Sequence, residues 1–239
     1  MAEPSVPLNR QAALVALRAA VARLERGSPA IQAGVVSLCP AIDRALPGGG
    51  LSRAAFHEVL AEDPGATVAF CALVLARAAG AVVWIGSEPD VWPAGLSDFG
   101  LSAANLILVG AQRPKDRLWA FEEALRSTGV AGAVLVLDGP APDLVATRRL
   151  QLAAEAGGGI GLLVLPDTDR LSPSAAKSRW RISAANAARS GHPSWRLTLV
   201  RAAGGRPAAW TVTWDRAEQD LLLVNVPAHA KPRAAHASA

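Results

Sequence analysis

The chain has no tyrosine, one methionine, two cysteines and four histidines in 239 residues, and each shortage closes a class of function. Cys39 and Cys71 form no CxxC pair, and His57, His192, His229 and His236 are scattered. Neither a disulfide framework nor a zinc site is encoded, and both thiols read as small buried apolar side chains. No apolar run reaches the roughly 18–20 residues of a membrane span. The start, MAEPSVPLNRQ, lacks the charged opening and apolar stretch of a signal peptide. The expectation is a cytoplasmic protein, free or on the nucleoid, with no membrane partner. Lysine is scarce too: of 24 basic residues only Lys115, Lys177 and Lys231 are lysine, leaving 21 arginines. A GC-biased, Ala/Arg-rich composition and selection for binding phosphates both account for that excess.

What is present sets the fold class. Hydrophobic residues at 51% against 18% charged residues supply a sizeable core and exclude wholesale disorder. Residues 8–26 carry Leu14, Leu17, Val21 and Leu24 at three- and four-residue steps, with Arg10, Arg18, Arg23 and Arg26 elsewhere, the pattern of an amphipathic helix. Gly27, Ser28 and Pro29 end it, so 1–33 reads as helix plus linker. From 35 to 165, near-continuous apolar runs at 56–60, 81–85, 106–109, 133–137 and 161–165 alternate with helical patterns at 66–79, 117–128 and 144–156. That alternation predicts an α/β domain over 34–226 with a doubly wound, mostly parallel sheet. Alternating segments at 179–183, 195–201 and 210–215, the last two joined by a Gly204-Gly205 hairpin loop, predict antiparallel strands at one edge. A short strand at 221–226 precedes a basic tail, 227–239, expected to be disordered.

Ligands of such sheets bind at the carboxyl ends of the strands. The loop after 56–60 reads Ala61-Glu62-Asp63-Pro64-Gly65-Ala66-Thr67 and opens into a helix. A phosphate loop ends in Gly-Lys-Ser/Thr, whose amides and lysine hold the phosphates. Here Gly65 and Thr67 occupy the glycine and hydroxyl positions, Ala66 replaces the lysine, and Glu62 and Asp63 add opposing negative charge. Glu88, after the strand at 81–85, is the catalytic carboxylate if the chain hydrolyses ATP, and Asp138, ending the strand at 133–137, the magnesium-linked one. Otherwise both are strand-end caps. No cofactor is expected, with ATP and magnesium as the alternative.

These segments carry a resemblance. Val36-Ser37-Leu38, 41–46 and Gly48-Gly49-Gly50-Leu51 look like the lead-in of the RecA ATPase core. Trp84-Ile85-Gly86-Ser87-Glu88 resembles its strand with the catalytic glutamate, and Leu135-Val136-Leu137-Asp138 its Walker B strand. Phe56-His57-Glu58-Val59, Val83-Trp84-Ile85, and the blocks 101–109, 118–127, 147–155, 178–182, 195–199 and 204–207 followed by Trp210, taken in order, resemble the ImuA family. The resemblance spans about 35–215. It implies a RecA-like, P-loop-type fold and an SOS-induced accessory factor of translesion mutagenesis. The partners it implies are ImuB, a Y-family polymerase relative, and an error-prone polymerase of the DNA polymerase III alpha type, with RecA as a further contact. Ala66 departs from the ATPase pattern while leaving the fold intact, so the expected protein is an adaptor with a degenerate nucleotide site. An active ATPase that binds DNA and a SulA-like inhibitor of cell division are the alternatives.

Basic residues supply the remaining candidates for nucleic-acid or partner binding. Arg148 and Arg149 diverge by about 100° on their helix, so one of them faces any single partner. Arg148 lies on the stripe of Leu144 and Leu152. Lys177, Arg179 and Arg181 flank Trp180; at strand spacing the two arginines share a face, which is either a phosphate-binding stripe or a charge-protected edge. Arg196 and Arg206 lie near Trp195, Trp210 and Trp214, which are either core anchors or an aromatic platform.

Overall fold

The computed structural model describes residues 34–89, 91–186 and 192–228. In chain order the elements are β1 (Val35–Val36), α1 (Pro40–Asp43), β2 (Leu51–Ser52), β3 (Ala55–Ala61), α2 (Pro64–Ala78), β4 (Val82–Gly86) and α3 (Pro93–Ser97). A 3-10 turn (Ala103–Asn105), β5 (Leu106–Gly110), α4 (Pro114–Arg126), β6 (Gly132–Val136), α5 (Leu144–Gly157) and β7 (Ile160–Pro166) follow. β8 (Ser178–Ala184), β9 (Ser194–Ala202), β10 (Ala208–Asp215) and β11 (Asp220–Ala228) complete it. The expected helix at 8–26 and the tail beyond 228 lie outside the described residues. β11 runs past the expected end of its strand to Ala228.

Nine strands form one sheet in the order β11-β10-β9-β8-β3-β7-β6-β4-β5, and β1 pairs with β2 in a separate small ladder. The apolar runs predicted as parallel strands are parallel, with both faces covered: α2 lies on one side, α4 and α5 on the other. One expectation is corrected. The segment 179–183 joins the sheet as β8, parallel to β3, and antiparallel pairing begins only with β9. Residues 167–177 carry the chain from the end of β7 back to the start of β8, which is what parallel pairing requires and a hairpin cannot do.

The helices stop where their sequence says they must. Asp63 caps α2 ahead of Pro64 at its first position, and Asp143 caps α5 by accepting from the Ala146 amide. Gly158 closes α5 in the left-handed region, at φ 78°. Gly157 lets α4 and α5 touch: a Cβ there would stand 2.0 Å from the Leu125 carbonyl oxygen.

The tryptophans resolve as core. Trp180, Trp195, Trp210 and Trp214 point from the β8–β10 half of the sheet into the cluster around α2 and are almost fully buried. Trp180 packs between Phe70 and Trp210, with ring centroids at 6.0 and 6.1 Å, and Phe99 packs against Trp195 and Trp214 at 5.7 and 5.8 Å. An aromatic platform would need these faces open.

The seam between β3 and β8 joins the two halves of the sheet, and it is polar. Glu58 and Arg179 are paired in register and almost wholly buried; Arg179 Nε donates to Glu58 Oε2 at 2.5 Å and its Nη2 to the Ser172 carbonyl at 2.8 Å. On the opposite face, Trp180 Nε1 donates to Ser178 Oγ at 2.8 Å, and Ser178 Oγ lies 2.7 Å from His57 Nδ1. His57 Nε2 reaches the Ser52 carbonyl at 2.9 Å. Since a carbonyl only accepts, Nε2 carries the proton, and the Ser178 hydroxyl donates to Nδ1.

Two outcomes follow for stability. Glu58→Ala strands the Arg179 charge in the interior and is expected to cost about 3–5 kcal/mol in urea unfolding, much of it recovered by adding Arg179→Met; a loss under about 1 kcal/mol would contradict the seam's role. Burial depresses the His57 pKa from 6.5 to about 4, with Lys177 adding to the shift and the Ser52 carbonyl opposing it. The unfolded chain therefore binds a proton that the folded one refuses. Stability present above pH 6.5 is lost as pH falls toward 4, by about 3 kcal/mol at most. His57→Gln should flatten that part of the pH profile, and an unchanged slope would exclude His57 as its source.

Candidate functional site

The loop at the carboxyl end of β3 is where a nucleotide would bind, and its backbone is already committed. Between the end of β3 and the start of α2 stand only Glu62 and Asp63, and both of their amides donate to the Ile182 carbonyl of β8 at 3.1 Å. The Asp63 carboxylate accepts from the Ala66 amide at 2.7 Å, occupying the helix N-terminus that would otherwise receive a phosphate. Thr67 is buried and its hydroxyl donates to the Asp63 carbonyl at 2.7 Å, turned away from any magnesium ligand role. Gly65 is exposed. No cation of the loop replaces the missing lysine. These residues do not form the cradle that a magnesium triphosphate requires.

The strand-end carboxylates fall on the other side of β7. Asp138 is exposed and pairs with the buried Arg117, whose Nη2 donates to it at 2.9 Å. That hydrogen bond, with its own backbone amide and the Ser87 hydroxyl, holds the Asp138 carboxyl below its usual range. Arg117 keeps Nε and Nη1 buried without hydrogen bonds. An aspartate tied to a guanidinium has its charge answered already, and a metal ion would have to displace Arg117 to use it. Glu88 is exposed at the end of β4, with Gln112 Nε2 at 3.4 Å from its Oε1.

Beside the loop, a groove of about 510 Å³ runs between the start of α2, the α3 region and the ends of β8 and β9. Val91, Trp92, Leu96, Phe99 and Trp195 line it with Asp63 at one end. Trp92 is 76% exposed on its rim. Sequence reasoning missed this feature; the signal for Trp92 was its place in the Pro89–Pro93 stretch, outside every predicted element.

The basic candidates do not converge. Arg179 is taken up by Glu58, and Arg181 pairs with Asp167 at 2.7 Å and Asp169 at 3.6 Å. Lys177 and Arg206 are exposed at the same end of the sheet, where the Ala203 amide bonds the Lys177 carbonyl, while exposed Arg196 lies opposite Ser183 toward the other end of β9. On α5, Arg149 pairs with Glu122 at 2.6 Å, and Arg148 faces outward with no partner among the described residues. The expected divergence of Arg148 and Arg149 is therefore observed, and the predicted 179/181 stripe is spent on carboxylates within the fold.

Comparison with known proteins places the chain. It is 41% identical over 164 residues to Protein ImuA of Caulobacter vibrioides, in strain NA1000 / CB15N and equally in strain ATCC 19089, a match covering 61% of this chain. This likeness supports assignment of the chain to the ImuA family. The match spans 66% of the curated relatives' length, just under two thirds. No model of a protein family matches. Among solved structures, the RadB recombinase superposes with a TM-score of 0.57 at 13% identity, covering 74% of this chain and 94% of that one, which shows a RecA-like fold.

Some segments through which the sequence resembles ImuA proteins are interior here, while 102–105 are exposed. His57, Glu58 and Ser178–Ala184 build the β3–β8 seam, and Val83, Trp84 and Ile85 are buried on β4.

Removing the Asp63 carboxylate tests its capping role. Asp63→Ala is expected to cost about 1 kcal/mol, with a melting midpoint lower by about 2–4 °C, and Asp63→Asn to retain most of that stability. An Asp63→Ala protein as stable as the wild type would show that the carboxylate does not hold the helix end.

Proposed function

We propose that this chain is an accessory adaptor of error-prone translesion DNA synthesis in the SOS response to DNA damage, acting without nucleotide. Likeness to Protein ImuA of Caulobacter vibrioides supports the accessory role in mutagenesis. The observation that carries the nucleotide-independent part is the Asp63 carboxylate seated on the α2 N-terminus, in a loop whose two amides are spent on Ile182. A phosphate entering there would meet the Asp63 negative charge and find the Glu62, Asp63 and Ala66 amides already bonded, a repulsion of several kcal/mol at short range in the partly buried loop.

The partners proposed are an ImuB-type relative of Y-family polymerases and an error-prone polymerase of the DNA polymerase III alpha type, with RecA as a further contact. Scaffolding fits the surface better than tracking DNA does. The exposed cations Lys177 and Arg206 lie apart from Arg196, and Arg179 and Arg181 already face carboxylates. A continuous row of free cations is what salt-sensitive phosphate binding requires.

Two measurements bear on this reading. Titration of the full chain with ATP and magnesium is expected to show no binding in the micromolar range; micromolar affinity would overturn nucleotide independence. A pull-down from DNA-damaged cells is expected to recover the ImuB-type protein, and recovery of the tubulin-like division protein in its absence would replace the adaptor with a SulA-like inhibitor.

A further inference from the structure

Helix α5 is apolar on two sides. Its inner side buries Thr147, Leu150, Ala153 and Ala154 against the sheet and α4. Its outer side leaves Leu144, Val145 and Leu152 at 54%, 71% and 53% exposure, with Arg148 one turn from each leucine. At about 100° per residue these four fall within an arc of about 100°, one continuous stripe. Exposed aliphatics scattered singly are ordinary, but three aligned around an arginine with no partner among the described residues make a contact face, since arginine and clustered apolar groups are what partner surfaces concentrate.

The chain itself shows what lies within reach. Residues 1–33 join the described protein at Gly34, whose carbonyl accepts from the Arg53 amide at 2.8 Å. The next residue, Ala54, donates to the carbonyl of Gly158, the residue that ends α5, and Gln151 of α5 donates to the Ala54 carbonyl. The point of attachment is therefore beside the carboxyl end of this same helix. Residues 27–33 span at most about 25 Å when extended, and α5 is about 21 Å long, so the preceding segment reaches any point of the stripe. That segment, 8–26, spaces Leu14, Leu17, Val21 and Leu24 at three- and four-residue steps in the sequence. Glu25 follows Val21 by four positions in the sequence and is one of only two acidic residues in 1–33.

We propose that residues 8–26 of the same chain cover the outer face of α5, with their leucines on Leu144, Val145 and Leu152 and the Glu25 carboxylate toward Arg148. The segment is then an intramolecular cover for the α4–α5 side of the sheet, tethered beside the end of the helix it protects. This placement is independent of the adaptor reading and of the loop at β3.

The test uses the full chain with Leu17→Cys and Leu152→Cys; the native Cys39 and Cys71 are buried and stay out of the reaction. Mild oxidation is expected to give a disulfide within one chain, seen as a faster-migrating monomer whose yield does not change on dilution. Covalent dimers in its place would mean that a second copy covers α5, and no crosslink would mean that the segment lies elsewhere; either overturns the proposal. A second readout is tryptic cleavage after Arg18 and Arg23. Leu152→Glu, at a half-exposed position, and Leu17→Glu, on the segment itself, should each speed it about tenfold by raising the open population. Cleavage at the wild-type rate in both variants overturns the proposal as well.

Discussion

The β3–β8 seam is the constraint on which the rest of this structure depends. Every strand on one side of it is parallel, every strand beyond β8 antiparallel, and the two halves meet through Glu58–Arg179 on one face and Trp180–Ser178–His57 on the other. A buried ion pair adds little net stability compared with well-packed apolar residues, yet it is costly to break and it pins register. A one-residue slip of β8 would turn Trp180 away from the cluster around α2 and part Arg179 from Glu58. The same pairing determines what happens at the end of β3. With β8 held in this register, the Ile182 carbonyl meets the Glu62 and Asp63 amides, and those amides cannot point at a ligand. The commitment of these two amides is thus a consequence of strand pairing, separate from the missing lysine.

Arginine chemistry follows the same economy. A guanidinium offers five donors in a planar fork, so one side chain can bind a carboxylate and a carbonyl together. Arg179 does this with Glu58 and Ser172, Arg77 with Asp220 and the Ser37 and Leu38 carbonyls, and Arg201 with the Ser174 and Ala176 carbonyls. These bonds tie loops of uneven geometry to a sheet with few other long polar side chains. Much of the arginine excess is therefore structural, and composition alone could not separate that use from phosphate binding.

The parallel strands were legible because burial on both faces writes an uninterrupted apolar run, and the helices because Asp-Pro and Gly signals mark their ends. Ala66 in the loop was legible too, as was the repulsive charge of Asp63, although its hydrogen bond to the Ala66 amide was not foreseen. What the sequence hid was pairing at long range. Arg179 meets Glu58 across 121 positions of chain, and no local pattern distinguishes such an arginine from one facing solvent. The direction of β8 was hidden for a related reason, since an alternating strand looks the same in either orientation. Trp92 and the groove beneath it depend on three separated segments meeting, which periodicity does not encode.

Under the adaptor reading, a RecA-like fold whose α2 N-terminus is capped by its own Asp63 has a distinct way of responding to its surroundings. A ligand shifts a conformational equilibrium only through a difference in affinity between two states. Nucleotide can supply that difference when its phosphates are gripped in one state and released in the other. Under the adaptor reading, Asp63 holds the helix end in every state and nucleotide has no such purchase. Control then passes to mass action, through the concentrations of the chain and its partners and through competition for shared surfaces. Under that reading, surfaces away from the strand ends matter more than the strand ends where catalysis would have been sought.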